Sequence, residues 1–354
     1  MIERPWNPKP SKRGVIIALC LVLVIAAGVG YLGNKEAVRN FLDQYNGNEY
    51  SGSGSQTIDF HVYKGDTGVE IAKALVAQDV TKDYETTLRH IFSANPTFFP
   101  GTYRMPTQIS SDKAIQILVD PTQVVVNRVL VQEGLRLSVT FKKLSNATGI
   151  SVSNFESAAK NISSFDLPKE APSLEGYLFP ATYDFQPDLT AKQILSLMVE
   201  RTKEQLRNDG VAQKDWHKTL TLASVIQMEA RLPQDFYKVS RTFKNRLAIG
   251  MHLQSDATVS YGVQGSTVST SSADRANNNG YNTYLYAGLP VGPIAGSGAQ
   301  AIDAALHPAE GKWLYFCTIN LKTGETVFSE TYADHQKAVA LWREWMKQNP
   351  GWND

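Results

Sequence analysis

The sequence of 354 residues has few cysteines and no excess of charge of either sign. Its two cysteines, Cys20 and Cys317, are far apart in the chain, so neither a disulfide framework nor a thiolate metal site is predicted. Lys and Arg number 35 against 34 Asp and Glu, which gives a formal net charge of +1. This balance offers no general attraction for nucleic acid, and we expect no nucleic-acid partner.

The signatures of several common enzyme classes are also missing. The six histidines include no pair at metal-ligand helical spacing, so we expect no bound metal and no cofactor. The stretch GLPVGPIAGSGA is rich in glycine but has no Lys-Ser or Lys-Thr after it and the wrong glycine order, which excludes a P-loop and a dinucleotide fingerprint. No Gly-x-Ser-x-Gly elbow occurs, and the usual signal of a serine hydrolase is therefore absent.

One long apolar run stands near the N-terminus. Residues 14–33, GVIIALCLVLVIAAGVGYLG, contain no charge and match the roughly 20 residues that a helix needs to cross a bilayer. Basic residues dominate before the run and charges are balanced after it, so the positive-inside rule predicts a cytoplasmic N-terminus and an exported remainder. A cleaved signal peptide is the alternative, and the length of the run favours a retained single-pass anchor in the cytoplasmic membrane.

Composition and periodicity divide the rest of the chain and predict an α+β fold. We expect a small βα subdomain after the anchor, a connecting βα subdomain, and a large domain of mixed helices and strands. In the large domain, apolar spacing predicts a helix in KTLTLASVIQMEA that Pro233 ends, a helix around Ala299 to Leu306 and a closing helix from Tyr332 to Lys347. The stretch WLYFCTINLKTGETVFS predicts a hairpin that turns at Gly324. The predicted segments are a cytoplasmic tail at 1–13, a transmembrane helix at 14–33, a linker at 34–57, the first subdomain at 58–122, the connecting subdomain at 123–172 and the large domain at 173–354.

The first subdomain opens with a short strand, a tight turn and a helix in IDFHVYKGDTGVEIAKALVAQ. Thr67 and Glu70 have the spacing of a capping box, which predicts the helix start. This opening resembles the LysM carbohydrate-binding module, although a packing subdomain without a ligand would begin in the same way. A fainter copy of the pattern, with a turn at Glu133 and Gly134, predicts the connecting subdomain.

The large domain contains an acid in an unexpected position. In TLASVIQMEARLP, helical spacing aligns Leu222, Val225 and Ile226 on one face, and the next position on that face is Glu229. An apolar environment raises the pKa of a carboxyl group and suits it to general acid catalysis, which glycosidic bond cleavage requires. The alternative is a structural glutamate at the helix end, partly exposed or paired with a nearby arginine.

Three stretches of the large domain carry a family resemblance: TLASVIQMEA, FKNRLAIGMHLQSDATVSYG and YNTYLYAGLPVGPIAGSGAQAIDAALHPAEGKWLYF. From Leu174 to the DHQKAV motif, they closely resemble the endolytic murein lytic transglycosylases, which cut the glycan strands of bacterial peptidoglycan. The resemblance implies that Glu229 is the catalytic residue, and that an N-terminal membrane helix and a LysM-like subdomain accompany the catalytic domain at 173–354. The family often has a second glutamate two positions earlier, where this sequence has Gln227.

A single acid has a chemical consequence. A lysozyme-type hydrolase normally needs two carboxylates, whereas a lytic transglycosylase manages with one that serves first as acid and then as base. The second step removes the proton from the muramoyl C6 hydroxyl, which attacks C1 of the same sugar and leaves a 1,6-anhydro end. Two alternatives stay open: a hydrolase with Asp256 as second carboxylate, and a membrane-tethered wall-binding scaffold without activity.

Further residues match family motif positions and are predicted to bind sugar through amide, carboxylate and ring surfaces. They are Asn245, Gln254, Asp256, Asn282 and Tyr284. Each taken alone is better explained by a structural role, and Glu175 in LEGYLFP either lines the cleft or satisfies a backbone turn. The partners implied by the resemblance are peptidoglycan glycan strands, the cytoplasmic membrane and peptidoglycan polymerases.

Overall fold

The computed structural model describes residues 47–265 and 270–351, and the chain divides into two compact units. One unit ends at Val125 and the other begins at Val126. The predicted tail, membrane anchor and first part of the linker lie outside the described residues. Within 47–265 and 270–351, no helix is long and apolar enough to cross a membrane.

The first unit combines one antiparallel strand pair with helices. Its elements are β1 (Thr57–Val62), α1 (Gly68–Ala77), α2 (Tyr84–Ala94), β2 (Gly101–Pro106), α3 (Ser111–Leu118) and a 3₁₀ turn (Pro121–Gln123). β1 and β2 pair antiparallel, and Phe60 lies opposite Tyr103 in a core that both residues share. The capping box of Thr67 and Glu70 is confirmed at the start of α1, where each side chain accepts a hydrogen bond from the other residue's backbone.

The second unit is also α+β, with more helix than strand. Its strands are β3 (Asn127–Leu130), β4 (Thr182–Phe185), β5 (Tyr315–Asn320) and β6 (Glu325–Ser329). Its helices are α4 (Leu137–Thr148), α5 (Val152–Lys160), α6 (Ala191–Asn208), α7 (Trp216–Glu229), α8 (Asp235–Ala248), α9 (Asp256–Gly262), α10 (Ser272–Arg275), α11 (Ala299–Leu306) and α12 (Tyr332–Gln348). Short 3₁₀ turns occur at Ile162–Phe165 and Gln213–Asp215.

The strand pairs of the second unit join segments that are distant in sequence. β3 pairs antiparallel with β4, and the Leu137 N–H at the start of α4 donates to the Glu175 carboxyl at 3.0 Å. Residues predicted as a connecting subdomain and residues predicted as the catalytic domain therefore lie in one unit. β5 and β6 form the predicted hairpin, which turns at Gly324 with a φ of 76° in the left-handed region that glycine tolerates.

Helix α7 lies in the core of the second unit. From Leu220 to Ile226 its residues are buried on every side, which explains why the apolar stripe in the sequence is broad. α7 packs against α11 and α8, and the core cluster around it includes Leu195, Phe243 and Ile302. The helix ends at Glu229, since Ala230 already has extended dihedral angles. Pro233 lies beyond the end, and the helix stops before it, as the sequence predicts.

Candidate active site

Glu229 lies where the buried helix α7 meets an open cavity. The cavity has a volume of about 300 Å³. Its lining residues come from α7, α8, α9, the hairpin β5–β6 and α12, together with the segments that connect them. They are Glu229, Phe243, Arg246, Leu253, Gln254, Ser255, Asp256, Tyr284, Tyr315, Phe316, Tyr332 and His335. The sequence alternatives for Glu229 were a catalytic acid and a partly exposed helix end. In the structure Glu229 is the last residue of α7 and partly exposed, and it also lines the cavity.

The carboxyl group of Glu229 is held by its neighbours from the segment before α9. The Ser255 hydroxyl donates a short hydrogen bond of 2.5 Å to Oε1 of Glu229. Ser255 is itself buried, and its backbone N–H donates to Thr283 Oγ1 at 3.1 Å. A hydroxyl fixed in this way orients the carboxyl group rather than following it, so the direction of Glu229 is set by the fold.

Burial raises the pKa of Glu229 above its ordinary value. The side chain keeps some solvent exposure at the cavity, yet protein atoms surround its carboxyl group densely, and loss of hydration disfavours the charged form. The Ser255 hydroxyl, the Ala257 N–H and the Arg246 cation act in the opposite direction, while the charge of Asp256 adds to the increase. The net effect holds a proton on Glu229 to higher pH, which a general acid needs.

Arg246 connects three parts of the site. It is buried on α8, and its Nε donates to the Leu314 carbonyl at 2.6 Å while Nη1 donates to the Leu253 carbonyl. Its guanidinium carbon lies 5.6 Å from the centroid of the Tyr315 ring. A guanidinium with its donors directed to backbone carbonyls holds the hairpin and the Leu253 segment at fixed positions around Glu229.

Asp256 is the other carboxylate among the described residues that line the cavity. Its Oδ1 accepts from the Thr270 hydroxyl at 2.5 Å and the Tyr284 hydroxyl at 3.1 Å, and it lies 3.3 Å from Nε of Arg275. Three contacts on one oxygen show that Asp256 holds the segment around Thr270 and Tyr284 in place. Asp256 therefore organises the cleft through Oδ1.

The structure brings together some of the predicted sugar-binding residues and leaves others apart. Gln254, Asp256 and Tyr284 line the cavity with Glu229. Asn245 is turned to the chain before β5, where its amide donates to the carbonyls of Gly311 and Trp313. Asn282 is buried, and its amide donates to the carbonyls of Arg275 and Asn277. Both asparagines are therefore structural in this geometry, and neither is among the cavity-lining residues.

An aromatic wall, formed by Tyr315, Tyr332 and His335, was not predicted. The rings of Tyr315 and His335 stack with centroids 5.3 Å apart, and Tyr332 lies 5.8 Å from Tyr315. Burial and the nearby Arg246 lower the pKa of His335, and its Nδ1 is buried without a hydrogen-bond partner among the described residues. Both effects favour the uncharged form of the His335 ring. The sequence signal was the DHQKAV motif, which without metal-binding neighbours gave no reason to include this histidine.

Glu175 has a structural position. It is buried, and both of its carboxyl oxygens accept from the Leu137 N–H at 3.0 Å. Burial raises its pKa to about 7, and the Leu137 N–H, the Tyr261 hydroxyl and the Arg136 cation limit the increase. Of the two sequence alternatives, the structure supports the backbone role, since Glu175 caps the N-terminus of α4 and is not among the cavity-lining residues.

Within the described residues, no group of three or more His, Cys, Asp or Glu side chains could hold a metal ion. The chemistry that the site can perform with its own residues is proton transfer by Glu229.

Comparison with known proteins gives matches along most of the chain. The model of the YceG-like family matches residues 60–341. The endolytic murein transglycosylase of Bacillus subtilis (strain 168) is 30% identical over 306 residues, which cover 80% of this chain and 84% of that protein. The endolytic murein transglycosylase of Streptococcus pneumoniae serotype 2 is 29% identical over 176 residues, which cover 47% of this chain and 32% of that longer protein.

Among solved structures, a 2.6 Å crystal structure of a YceG-like protein from Listeria monocytogenes is similar to this chain. The TM-score is 0.53 at 27% sequence identity, and the match covers 80% of this chain and 99% of that one.

Proposed function

The chain belongs to the YceG-like family, and from this premise we propose that it is an endolytic murein lytic transglycosylase in which Glu229 is the catalytic residue. The enzyme cuts the glycosidic bond between N-acetylmuramic acid and N-acetylglucosamine inside glycan strands and leaves 1,6-anhydromuramoyl ends. It is a lyase, because no water is consumed. Cutting within new strands limits their length.

The observation that carries this proposal is the position of Glu229 on the cavity with a raised pKa and one oxygen held by Ser255. In the first step, Glu229 donates its proton to the bridging oxygen, which makes the departing sugar a better leaving group. In the second step, the Glu229 carboxylate accepts the proton of the C6 hydroxyl as this oxygen attacks C1. The bond that breaks is the glycosidic C1–O bond, and the bond that forms joins O6 to C1 of the same sugar.

The named relatives support transglycosylation over hydrolysis, because they are endolytic murein transglycosylases. A retaining hydrolase would need a second carboxylate to attack C1 or to activate water. We assign Asp256 instead to the support of the cleft, since its Oδ1 is bound by Thr270, Tyr284 and Arg275. The intramolecular C6 hydroxyl needs no such group, because its attachment to the reacting sugar supplies the proximity.

For sugar binding, we assign direct contacts to Gln254, Tyr284 and the aromatic wall. Pyranose rings present apolar faces that stack on aromatic rings and hydroxyls that bond to amide and carboxylate groups. Tyr332 packs against Tyr315 but is 60% exposed, which leaves ring surface available to a sugar. Asn245 and Asn282 support the site by holding backbone carbonyls.

The sequence supports a location for the enzyme at the cytoplasmic membrane. The apolar run at 14–33 supports a single-pass anchor in the cytoplasmic membrane, with the catalytic domain outside. The strand, turn and capped helix of the first unit support a LysM-like role in holding glycan strands. Such a location is close to the peptidoglycan polymerases, which are the expected protein partners.

Product mass tests the proposed reaction. Purified full-length protein in detergent is incubated with uncrosslinked glycan strands, and the released fragments are analysed by mass spectrometry. Transglycosylation adds no water, so we expect anhydro ends from the parent and a loss of about a hundredfold to ten-thousandfold for Glu229→Gln. Reducing ends alone would indicate a hydrolase, and the absence of any cut with folded parent would indicate a wall-binding scaffold.

Protease added outside intact spheroplasts tests the anchor, since it should remove most of the chain without releasing a soluble mature form.

A further inference from the structure

A second concave surface lies on the same helix as part of the aromatic wall. We call it the α12 groove; it has a volume of about 520 Å³ and is formed by α12, β6, the segment that joins them, and Trp313 before β5. Its lining includes Trp313, Val327, Thr331, Asp334, Lys337 and Leu341. The surface is mixed, because aromatic and aliphatic side chains are combined with the charges of Glu330, Asp334 and Lys337. The proposed function makes no use of it.

The α12 groove and the catalytic cavity lie on adjacent faces of the first turn of α12. Tyr332 and His335 line the cavity, while their neighbours Thr331 and Asp334 line the groove. Consecutive residues of a helix point about 100° from each other, so the two surfaces lie side by side on the same turn. A helix with its side chains is about 10–12 Å in diameter. A substituent on a sugar in the cavity can therefore reach the groove if it extends at least this far.

The substrate of the proposed reaction carries such a substituent. Each N-acetylmuramic acid of newly made peptidoglycan bears a short peptide, and five extended residues span at most about 17 Å. This branch has apolar side chains, a terminal carboxylate and, before crosslinking, a side-chain amine. The groove offers Leu341 and Val327 for apolar contact, Lys337 for a carboxylate and Asp334 for an amine.

Resting on the proposed function, we propose that the α12 groove binds the peptide branch of the glycan strand, so that the enzyme prefers peptide-bearing strands to bare ones. Lys337 lies 2.8 Å from Asp334, and its ammonium group has three donors, so the pair can bind a carboxylate while staying together. The groove thereby contributes to the choice of substrate, while Glu229 performs the chemistry.

A matched pair of lysines on α12 allows a direct test. Lys337 and Lys347 are each 77% exposed, and each is paired with an acid three residues earlier, Asp334 and Glu344. Only Lys337 lines the groove. Full-length Lys337→Glu and Lys347→Glu are compared on uncrosslinked peptide-bearing strands and on the same strands after an amidase has removed the peptides. The readout is the ratio of kcat/KM on the two substrates, measured from anhydro-ended products.

We expect the ratio to fall by about fivefold for Lys337→Glu, which corresponds to one exposed ion pair lost, and to keep its parental value for Lys347→Glu. Leu341→Asn should lower the ratio as well, with the similarly exposed Leu197→Asn on α6 as its control. Equal ratios for all four variants and the parent, or equal loss on both substrates, would overturn the groove assignment. Failure of the proposed function has a different signature: the parent would then form no anhydro ends on either substrate, and the groove proposal would fall with it.

Discussion

The buried carboxyl group of Glu175 should make the stability of the second unit depend on pH. In the folded protein its pKa is raised from 4.5 to about 7, mainly because burial disfavours the charge. In the unfolded chain the same group titrates near its ordinary value. Between these two values the folded state keeps a proton that the unfolded state has lost. The free energy of unfolding therefore decreases as the pH rises through this interval, and it does not change further once both states are ionised.

The size of the effect follows from the two pKa values. They differ by about 2.5 pH units, and one unit is worth about 1.36 kcal/mol, so the loss from Glu175 alone is about 3 kcal/mol. This is a large part of the stability of a typical domain, which is about 5–15 kcal/mol. The hydrogen bonds from Leu137 and Tyr261 stabilise the ionised form only in part, since without them the pKa would be higher still.

Glu175→Gln tests this reasoning. The amide keeps an oxygen that can accept from the Leu137 N–H, and it has no charge to bury. Relative to the parent, the variant should gain about 3 kcal/mol between pH 4 and pH 8, as measured by urea unfolding at a series of pH values. Glu156→Gln, at an exposed glutamate on α5, provides the control. A difference between Glu175→Gln and the parent that is constant over this range would refute the argument.

Other substitutions test the active site and its support. Ser255→Ala removes a donor that lowers the pKa of Glu229, so the alkaline limb of the pH–rate profile should move to higher pH while kcat falls, and Ser255→Thr should restore both. Tyr332→Ala should raise KM by about threefold to tenfold with little change in kcat, and Tyr332→Phe should not, if the ring stacks on a sugar. Asn245→Ala should lower the free energy of unfolding by about 1–2 kcal/mol in urea titrations, because it removes two hydrogen bonds to backbone carbonyls. Asp256→Asn should reduce turnover much less than Glu229→Gln in the same assay; an equal loss would point to hydrolysis.

Local patterns predicted most of the helices and strands of the large domain. The apolar spacing in AIDAAL and the alternation around Gly324 have direct physical causes, because one face of each element must be buried. α11 at Ala299–Leu306 and the β5–β6 hairpin are confirmed for this reason. Periodicity contains no information about which elements meet. The pairing of β3 with β4 was not predicted, because the two strands are more than fifty residues apart in sequence.

The same limit applies to the site. Gln254, Asp256 and Tyr284 were predicted from motif positions near one another in the sequence, and they line the cavity. Tyr332 and His335 belong to a helix whose pattern indicated only packing, and their distance in sequence from Glu229 gave no sign that α12 closes the cleft. Ser255 was missed although it lies between two predicted residues. A small hydroxyl has many structural uses, and only the distance to Glu229 distinguishes it.

Two buried acids with raised pKa values also show why geometry has to decide function. Glu175 and Glu229 both lose hydration, and both accept hydrogen bonds that partly offset this loss. The partners of Glu175 are the N-terminus of α4 and the partly buried Tyr261, and Glu175 does not line the cavity, so its proton is not directed to a substrate there. Glu229 faces a cavity with aromatic and polar walls, and the donors around it stabilise the carboxylate that remains after the proton has left. An acid that must also act as base needs both conditions, because burial alone would hold the proton and hydrogen bonds alone would release it before the substrate arrived.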